Sequence, residues 1–516
     1  MMVGTEGAQP VANSESVKGN IFVKRGVLEF VGILLCLGGI AVAIGMNCSR
    51  RSLFCDEAML VWNINTRSLG TLVARPLDWL QTAPLLYVYT LKLLALLFGT
   101  SEWVYRFPAL LAYAFLPVAV WWSAKRLFGI AYPWLCAGFC ANLGSLLMYS
   151  NQAKPYMGEA VLVLAVLAVH YAFVNGKVNW LGRATAWAVL GMCGNPVWFA
   201  VAGCLAHEGL ESLARRNWKS LAECTESGCV FGGAMGVYFL AWLAPMANAD
   251  AMQAFWTESM LPWPVTPSGV WNFFRILREH FFLLEFGKRE WVMIPLMGLS
   301  LVLTLKSRHR WASVVWLTLG AAVCASCLSM FPVTLRLWLF AVPLCALLAF
   351  WTIEKISGAG RQAWAGALLA LLAIANLGIL RYWNPKNNYW ENEEINDSVA
   401  FLRKHLVDGE SVYVFFASIP GFQFNNGYSS SRLAPSSRDN VIFGGRIWEN
   451  PEDLERDVAS VEQSGTCWLV MAHATTSRTK ALFDRLSTSG SLEMVHSFFD
   501  TPVYLYKCRE VHTSPD

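Results

Sequence analysis

One apolar run after another fills the first three quarters of this chain, and that pattern constrains its fold more than any motif. The runs lie at 27–46, 84–98, 105–124, 130–149, 156–174, 184–209, 225–245, 290–305, 311–330, 335–351 and 362–382. A bilayer span needs roughly 20 predominantly apolar residues. The chain is 55% hydrophobic and 15% charged, against roughly a quarter charged in soluble globular proteins. A net charge of +4 with no basic block gives no sign of a nucleic-acid partner.

Basic loops arbitrate the topology, because short cytoplasmic loops carry the excess of Lys and Arg. Suppose 84–98 lies along the outer interface and 184–209 breaks at Asn195-Pro196, where proline removes a backbone donor. Then Lys125, Arg126, Lys177, Arg183, Arg215, Arg216, Lys219, Lys306, Arg308, Arg310, Lys355 and Arg361 all face the cytoplasm. This solution has about eleven transmembrane helices, with the N-terminus inside and the C-terminus outside. Residues 1–26 form a cytoplasmic segment, and the run after Lys24 and Arg25 reads as a start anchor without a cleavage site. Residues 27–383 form the membrane domain, with outer loops at 47–104 and 246–289.

From Asn384-Pro385 and the acidic run Glu391, Glu393 and Glu394, a polar tail (384–516) begins. A helix is expected at 393–406 and another near 477–488. Strands are expected at SVYVFFA, at TCWLVMA and in a final pair ending in PVYLYK. That alternation describes a small extracytoplasmic α/β domain. Most of the 14 cysteines sit in apolar runs as small hydrophobes. Cys324 and Cys327 form a CxxC without partner ligands; Cys48 with Cys55, and Cys467 with Cys508, are candidate extracytoplasmic disulfides.

The residues able to carry chemistry cluster on the outer face. Asp56 and Glu57 follow the first span by about ten residues. Lys154, Tyr156 and Glu159 stand where the helix of 156–174 leaves that face, and Glu159 is one turn inside an apolar segment. Such a carboxylate is costly unless it meets a partner or a cavity. Arg336 opens a later span against the positive-inside trend, which calls for an anionic partner: a phosphate, a carboxylate such as Glu159, or a lipid headgroup. Gln81 can hydrogen-bond a sugar hydroxyl. Glycosyl transfer needs a base for the acceptor hydroxyl and positive charge for the departing phosphate. Asp56 can be that base, or can hold a divalent cation together with Glu159; Lys154 and Arg336 can hold the phosphate. His473 in the tail reads as structural.

In this order the motifs resemble the GT-C superfamily of membrane glycosyltransferases. They look most like family-39-like enzymes related to protein O-mannosyltransferases and lipid A aminoarabinose transferases. Asp56-Glu57 match that family's acidic pair. Gln81 and Pro84, then Gly99, Ser101, Glu102, Arg106 and Pro108, match its next stretch. Lys154, Tyr156 and Glu159 match a third, with Glu in place of the usual Asp, and Phe331, Pro332 and Arg336 match a fourth. The resemblance covers about 25–380 and implies a GT-C fold and a polyprenyl-phosphate sugar donor. It implies a glycan, lipid or protein acceptor, a bacterial inner-membrane location with an outward-facing site, and sometimes a divalent cation (Mg2+, Mn2+ or Zn2+). On it, Asp56, Glu57 and Glu159 would be catalytic, with Asp56 and Glu159 as metal ligands. Lys154, Tyr156, Arg336 and Gln81 would bind donor. A transporter or flippase of lipid-linked saccharides is the main rival. No internal repeat supports it, and the polar residues gather at one face rather than at the midplane. A non-catalytic scaffold would leave Asp56, Glu159 and Arg336 without a common purpose.

Overall fold

The computed structural model describes residues 13–49, 51–247, 250–287, 290–358, 362–375, 394–427, 440–498 and 501–508. Asn384-Pro385, Glu391, Glu393, Arg361 and the boundary near 384 lie outside the described residues.

The first apolar run ends a long helix, α1 (Asn13–Cys48). The acidic pair then opens a helix, α2 (Cys55–Thr66), followed by α3 (Leu69–Ala74) and α4 (Leu85–Phe98). With 14 residues, α4 is about 21 Å long and too short to cross a hydrocarbon core of about 30 Å. Next come α5 (Glu102–Ser123), α6 (Pro133–Ala141), α7 (Gly144–Tyr149) and α8 (Tyr156–Val174). The run 130–149, expected to be one crossing, is therefore two short helices. Asn142 ends the first, and its side-chain amide donates to the Gly138 and Leu35 carbonyls at 2.7 and 3.1 Å. The run 184–209 breaks where the proline places it, into α9 (Trp180–Cys193) and α10 (Val197–Ala214).

After α11 (Trp218–Tyr238), the aromatic outer segment folds into α12 (Ala244–Ala247), α13 (Asp250–Trp256), α14 (Pro267–Leu277) and α15 (Leu283–Phe286). Four more helices follow: α16 (Glu290–Ser307), α17 (Arg310–Cys327), α18 (Ala341–Ser357) and α19 (Gln362–Ala375). Six helices among the described residues are long and apolar enough to cross a membrane: Gly26–Cys48, Glu102–Phe128, Tyr156–Val174, Trp218–Met246, Glu290–Ser307 and Arg310–Cys327. The bundle core centres on α18, buried on every face from Ala341 to Ile353, which is why that run carries no charge before Glu354. Where α1 crosses α6 the backbones nearly touch: a Cβ on Gly138 would lie 2.7 Å from the Gly32 carbonyl oxygen, the close approach that small residues permit between membrane helices.

Helix directions gather the basic loops at one end. Phe128, just beyond Lys125 and Arg126, stacks on His309, which also packs on Trp351 near Lys355. Arg310 pairs with Glu211, one turn from Arg215. The opposite end carries α2 and the tail domain.

The tail folds as α20 (Ile395–His405), β1 (Ser411–Val414), α21 (Ile419–Asn426), β2 (Val441–Phe443), α22 (Pro451–Gln463), β3 (Thr466–Val470), α23 (Thr476–Ser489), β4 (Gly490–Phe498) and β5 (Thr501–Cys508). Its sheet order is β2-β1-β3-β5-β4, with β1 parallel to β2 and β3, and β5 antiparallel to β3 and β4. Alternation along β1 sends Val412 and Val414 toward α20 and α21, and Tyr413 toward α22 and α23.

Neither candidate disulfide forms. Cys55 is buried against the tail's core, where its thiol donates to the Ala417 carbonyl at 3.4 Å, while Cys48 is exposed. Cys467 lies opposite Tyr506 in the ladder, two positions from Cys508, whose own partner is Gly490 on the next strand. That offset exceeds the Cα separation a disulfide spans.

Candidate active site

Asp56 and Glu57 are neighbours in the first turn of α2, where the helix dipole favours negative charge. Successive helical residues project about 100° apart, so the two carboxylates go separate ways. Glu57 turns inward and is fully buried. Arg106 of α5 grips it through Nε and Nη2 at 3.0 and 2.8 Å, and the amides of Ala153 and Phe54 donate to it at 2.6 and 2.9 Å. The same guanidinium donates to the Arg51 and Ser52 carbonyls at 2.9 and 2.7 Å. Burial works against the Glu57 charge, but Arg106 and the two amides overrule it and hold the carboxyl below its usual range. This pair brackets three segments: the loop before α2, α5, and the loop before α8.

Asp56 faces the other way and keeps 29% of its side chain exposed. Its Oδ2 accepts from Arg336 Nη1 at 3.0 Å; its Oδ1 lies 3.3 Å from Lys154 Nζ and accepts from Gln81 Nε2 at 3.2 Å. Gln81 bridges the set, since its Oε1 accepts from Lys154 at 2.7 Å and its Nε2 also reaches the Trp79 carbonyl at 3.3 Å. Arg336 rests over the Trp256 ring, 4.8 Å from its centroid. Burial disfavours the Asp56 carboxylate, yet Lys154 and Arg336 win and lower its pKa. Burial lowers the pKa of Lys154, with Asp56 opposing. A carboxylate is thus held ionised between two cations from distant parts of the chain, at the mouth of the bundle.

Tyr156 opens α8 beside this group, edge-on to Tyr149 with ring centroids 5.6 Å apart. Glu159 lies one turn deeper, buried, and contacts neither Asp56 nor Lys154. Its Oε1 accepts from the Asn195 amide at 3.1 Å, in the break between α9 and α10. Gly194 makes room: a Cβ there would lie 2.9 Å from Glu159 Cγ. The donors present do not suit a cation shared by Asp56 and Glu159. Asp56 is already neutralised by an ammonium and a guanidinium, and Glu159 is turned to a backbone amide. Among the described residues no group of three His, Cys, Asp or Glu side chains could hold a metal ion.

The tail domain completes the surroundings. Phe54 packs edge-on against His473 at 5.6 Å, and Trp79 meets Phe416 at 5.0 Å. Asn396 donates to Glu102 at 2.9 Å. His473, with φ 55, therefore helps seat the start of α2. Sequence reasoning brought Asp56, Gln81, Lys154 and Arg336 to one face. It missed Trp256, the role of Arg106 as partner of Glu57, and the Asn195 amide. Only Arg106 had left a signal, as a charge inside an apolar helix.

The architecture is a GT-C fold, a bundle of apolar helices, with a C-terminal sheet domain. ArnT from Cupriavidus metallidurans, in a crystal structure bound to undecaprenyl phosphate, aligns over 92% of this chain and 97% of its own, with a TM-score of 0.51 at 13% identity. Its apo form aligns with a TM-score of 0.48 at 13% identity, over 95% of this chain and 98% of that one. The Archaeoglobus fulgidus oligosaccharyltransferase, complexed with zinc and sulfate, aligns with a TM-score of 0.49 at 11% identity, over 93% and 73%. At 13% identity the likeness to the lipid-bound ArnT shows the fold. No family model matches the sequence, and no curated protein does.

Proposed function

We propose that this protein is a membrane glycosyltransferase that moves a sugar from a polyprenyl-phosphate donor to an acceptor hydroxyl at the membrane face bearing its tail domain. The observation that carries the reading is Asp56, part-exposed and clasped by Lys154, Arg336 and Gln81. The gathering of basic loops at the opposite end supports an outward-facing site.

In the resting state the two cations neutralise Asp56. A donor phosphate competes for them, since guanidinium and ammonium both bind phosphate oxygens. As they shift to the phosphate, Asp56 loses the charges that suppress its basicity and becomes the base for the acceptor hydroxyl. The acceptor oxygen attacks the anomeric carbon, its proton passes to Asp56, and the carbon–oxygen bond to the phosphate breaks. Polyprenyl phosphate leaves with its charge held by Arg336 and Lys154. Glu57 and Glu159 are engaged elsewhere, so one carboxylate serves the reacting centre and a single displacement inverts the anomeric configuration. Gln81 holds Asp56 and Lys154 in register, and Tyr156 lines the approach. No step runs through a metal, because the donor set does not fit one.

The test is transfer of radiolabelled sugar from a panel of polyprenyl-phosphate sugars into native membranes, with the Asp56→Asn variant in parallel. Transfer by the native protein and its loss in the variant supports the reading. A protein that binds no donor and transfers nothing would sink it.

A further inference from the structure

At the far end of α8 the helix ends of α8, α9, α10, α11 and α17 line an open cavity of about 420 Å³. It stands apart from the candidate active site, separated by the 19 residues of α8, about 28 Å of helix. The inner wall is short of hydrogen-bond partners. His170 is 1% exposed and its Nδ1 has none; Glu208 is 7% exposed and its Oε1 has none. The other oxygen of Glu208 is taken by Arg183, itself sandwiched between the rings of Phe173 and Trp187 and bonded to Ser227 Oγ at 2.7 Å. The mouth has the opposite character. Arg310 donates to both oxygens of Glu211 at 3.0 and 2.8 Å, Arg215 reaches Glu211 at 2.7 Å, and both guanidiniums are partly exposed.

Unsatisfied acceptors deep inside, with guanidiniums at the rim, suit a ligand that enters with N–H donors first and leaves a phosphate at the mouth. A membrane lipid with a terminal amine has that order: amine, phosphate, then acyl chains. The rim also offers a path for the chains, since Val174 lines it and the nearby Leu181 and Leu210 are exposed where bilayer would lie. We propose that this cavity binds the aminoethyl phosphate headgroup of a bilayer lipid from the leaflet opposite the active site. The amine would donate to Glu208 Oε1 and His170 Nδ1, and the phosphate would meet Arg310 and Arg215, with Glu211 yielding part of its grip.

The experiment is native mass spectrometry of the full chain, delipidated in detergent and titrated separately with diacyl phosphoethanolamine, phosphocholine and phosphoglycerol lipids. Two hydrogen bonds and a charge contact distinguish the first, so it should be retained about tenfold more strongly than phosphocholine, which has no N–H to donate. His170→Phe should erase most of that preference, and Arg310→Gln should weaken retention of all three lipids alike, while the protein stays folded. Equal retention of the three lipids by the native chain overturns the proposal without recourse to any variant, as does a preference unchanged in His170→Phe together with retention unchanged in Arg310→Gln. Saturation of the cavity by soluble O-phosphoethanolamine, with no lipid preference, would assign it to a soluble ligand and overturn the lipid assignment.

Discussion

Helix α8 has a charged cluster at each end, and the two are built differently. At one end Asp56 is shared among Lys154, Arg336 and Gln81, which come from three separate segments, and nearly a third of its side chain is open. At the other end Arg183 is fully buried, stacked between two rings and tied to Glu208 and Ser227. The first is a set of contacts that a ligand can exchange; the second is a fixture that a cavity has been built around. An ion pair near a membrane surface says little by itself, and its burial and the reach of its partners decide which kind it is.

Substitutions should separate the ends. Asp56→Asn should cost about 10²- to 10⁴-fold in sugar transfer, the usual worth of a positioned base, and leave the unfolding transition almost unmoved. Arg183→Met strands a buried carboxylate and should cost about 3–5 kcal/mol of stability, read by denaturation in detergent, with the remaining folded protein still active. If Arg183→Met lost turnover but no stability, the contrast would collapse.

The same contrast holds within one turn of α2. Glu57→Gln should behave like the far cluster and destabilise by about 3–5 kcal/mol, because Arg106 is buried with it. Arg336→Gln should raise KM for donor by about tenfold through loss of one charged phosphate contact, with a smaller fall in kcat.

Acid sharpens it further. Asp56 and Glu57 both have folded pKa values below their ordinary ones. Their contribution is therefore full above the unfolded pKa and drains as pH falls through the folded one. The acid limb of kcat/KM, which reports the free protein, should lie below the ordinary carboxylate range. The limb of kcat should lie higher, since bound donor draws the cations away from Asp56. Coincident limbs would argue against the resting clasp. The smallest expected effect is none: EDTA should leave transfer unchanged, and a metal-dependent loss would reopen a cation at Asp56.

Much of this was legible in the sequence because membrane topology converts charge into position. Once the basic loops fixed the sides, Asp56, Lys154 and Arg336 fell on one face. The break at Asn195-Pro196 and most tail elements followed from local rules. The different fates of Asp56 and Glu57 did not, because nothing in SLFCDEAML announced a helix that would point them apart. Glu159 was a candidate to share a cation with Asp56 or to pair with Arg336 and instead meets a backbone amide, and main-chain donors leave no mark in a sequence. Asn142 split an apolar run that hydropathy treats as one. The helix α22 was missed although its signals were present: Asn450 as cap, Pro451 at the first position, and Glu452 and Asp453 in the first turn.

The central claim is that Asp56 occupies, at rest, the cations that a donor phosphate needs. Titration of purified protein with polyprenyl phosphate, for the native chain and Asp56→Asn, tests it most directly. The clasp predicts opposite movements: the variant binds the lipid phosphate more tightly, by about tenfold for one competing charge removed, while its sugar transfer is lost. Binding that is weaker or unchanged in the variant would contradict the account.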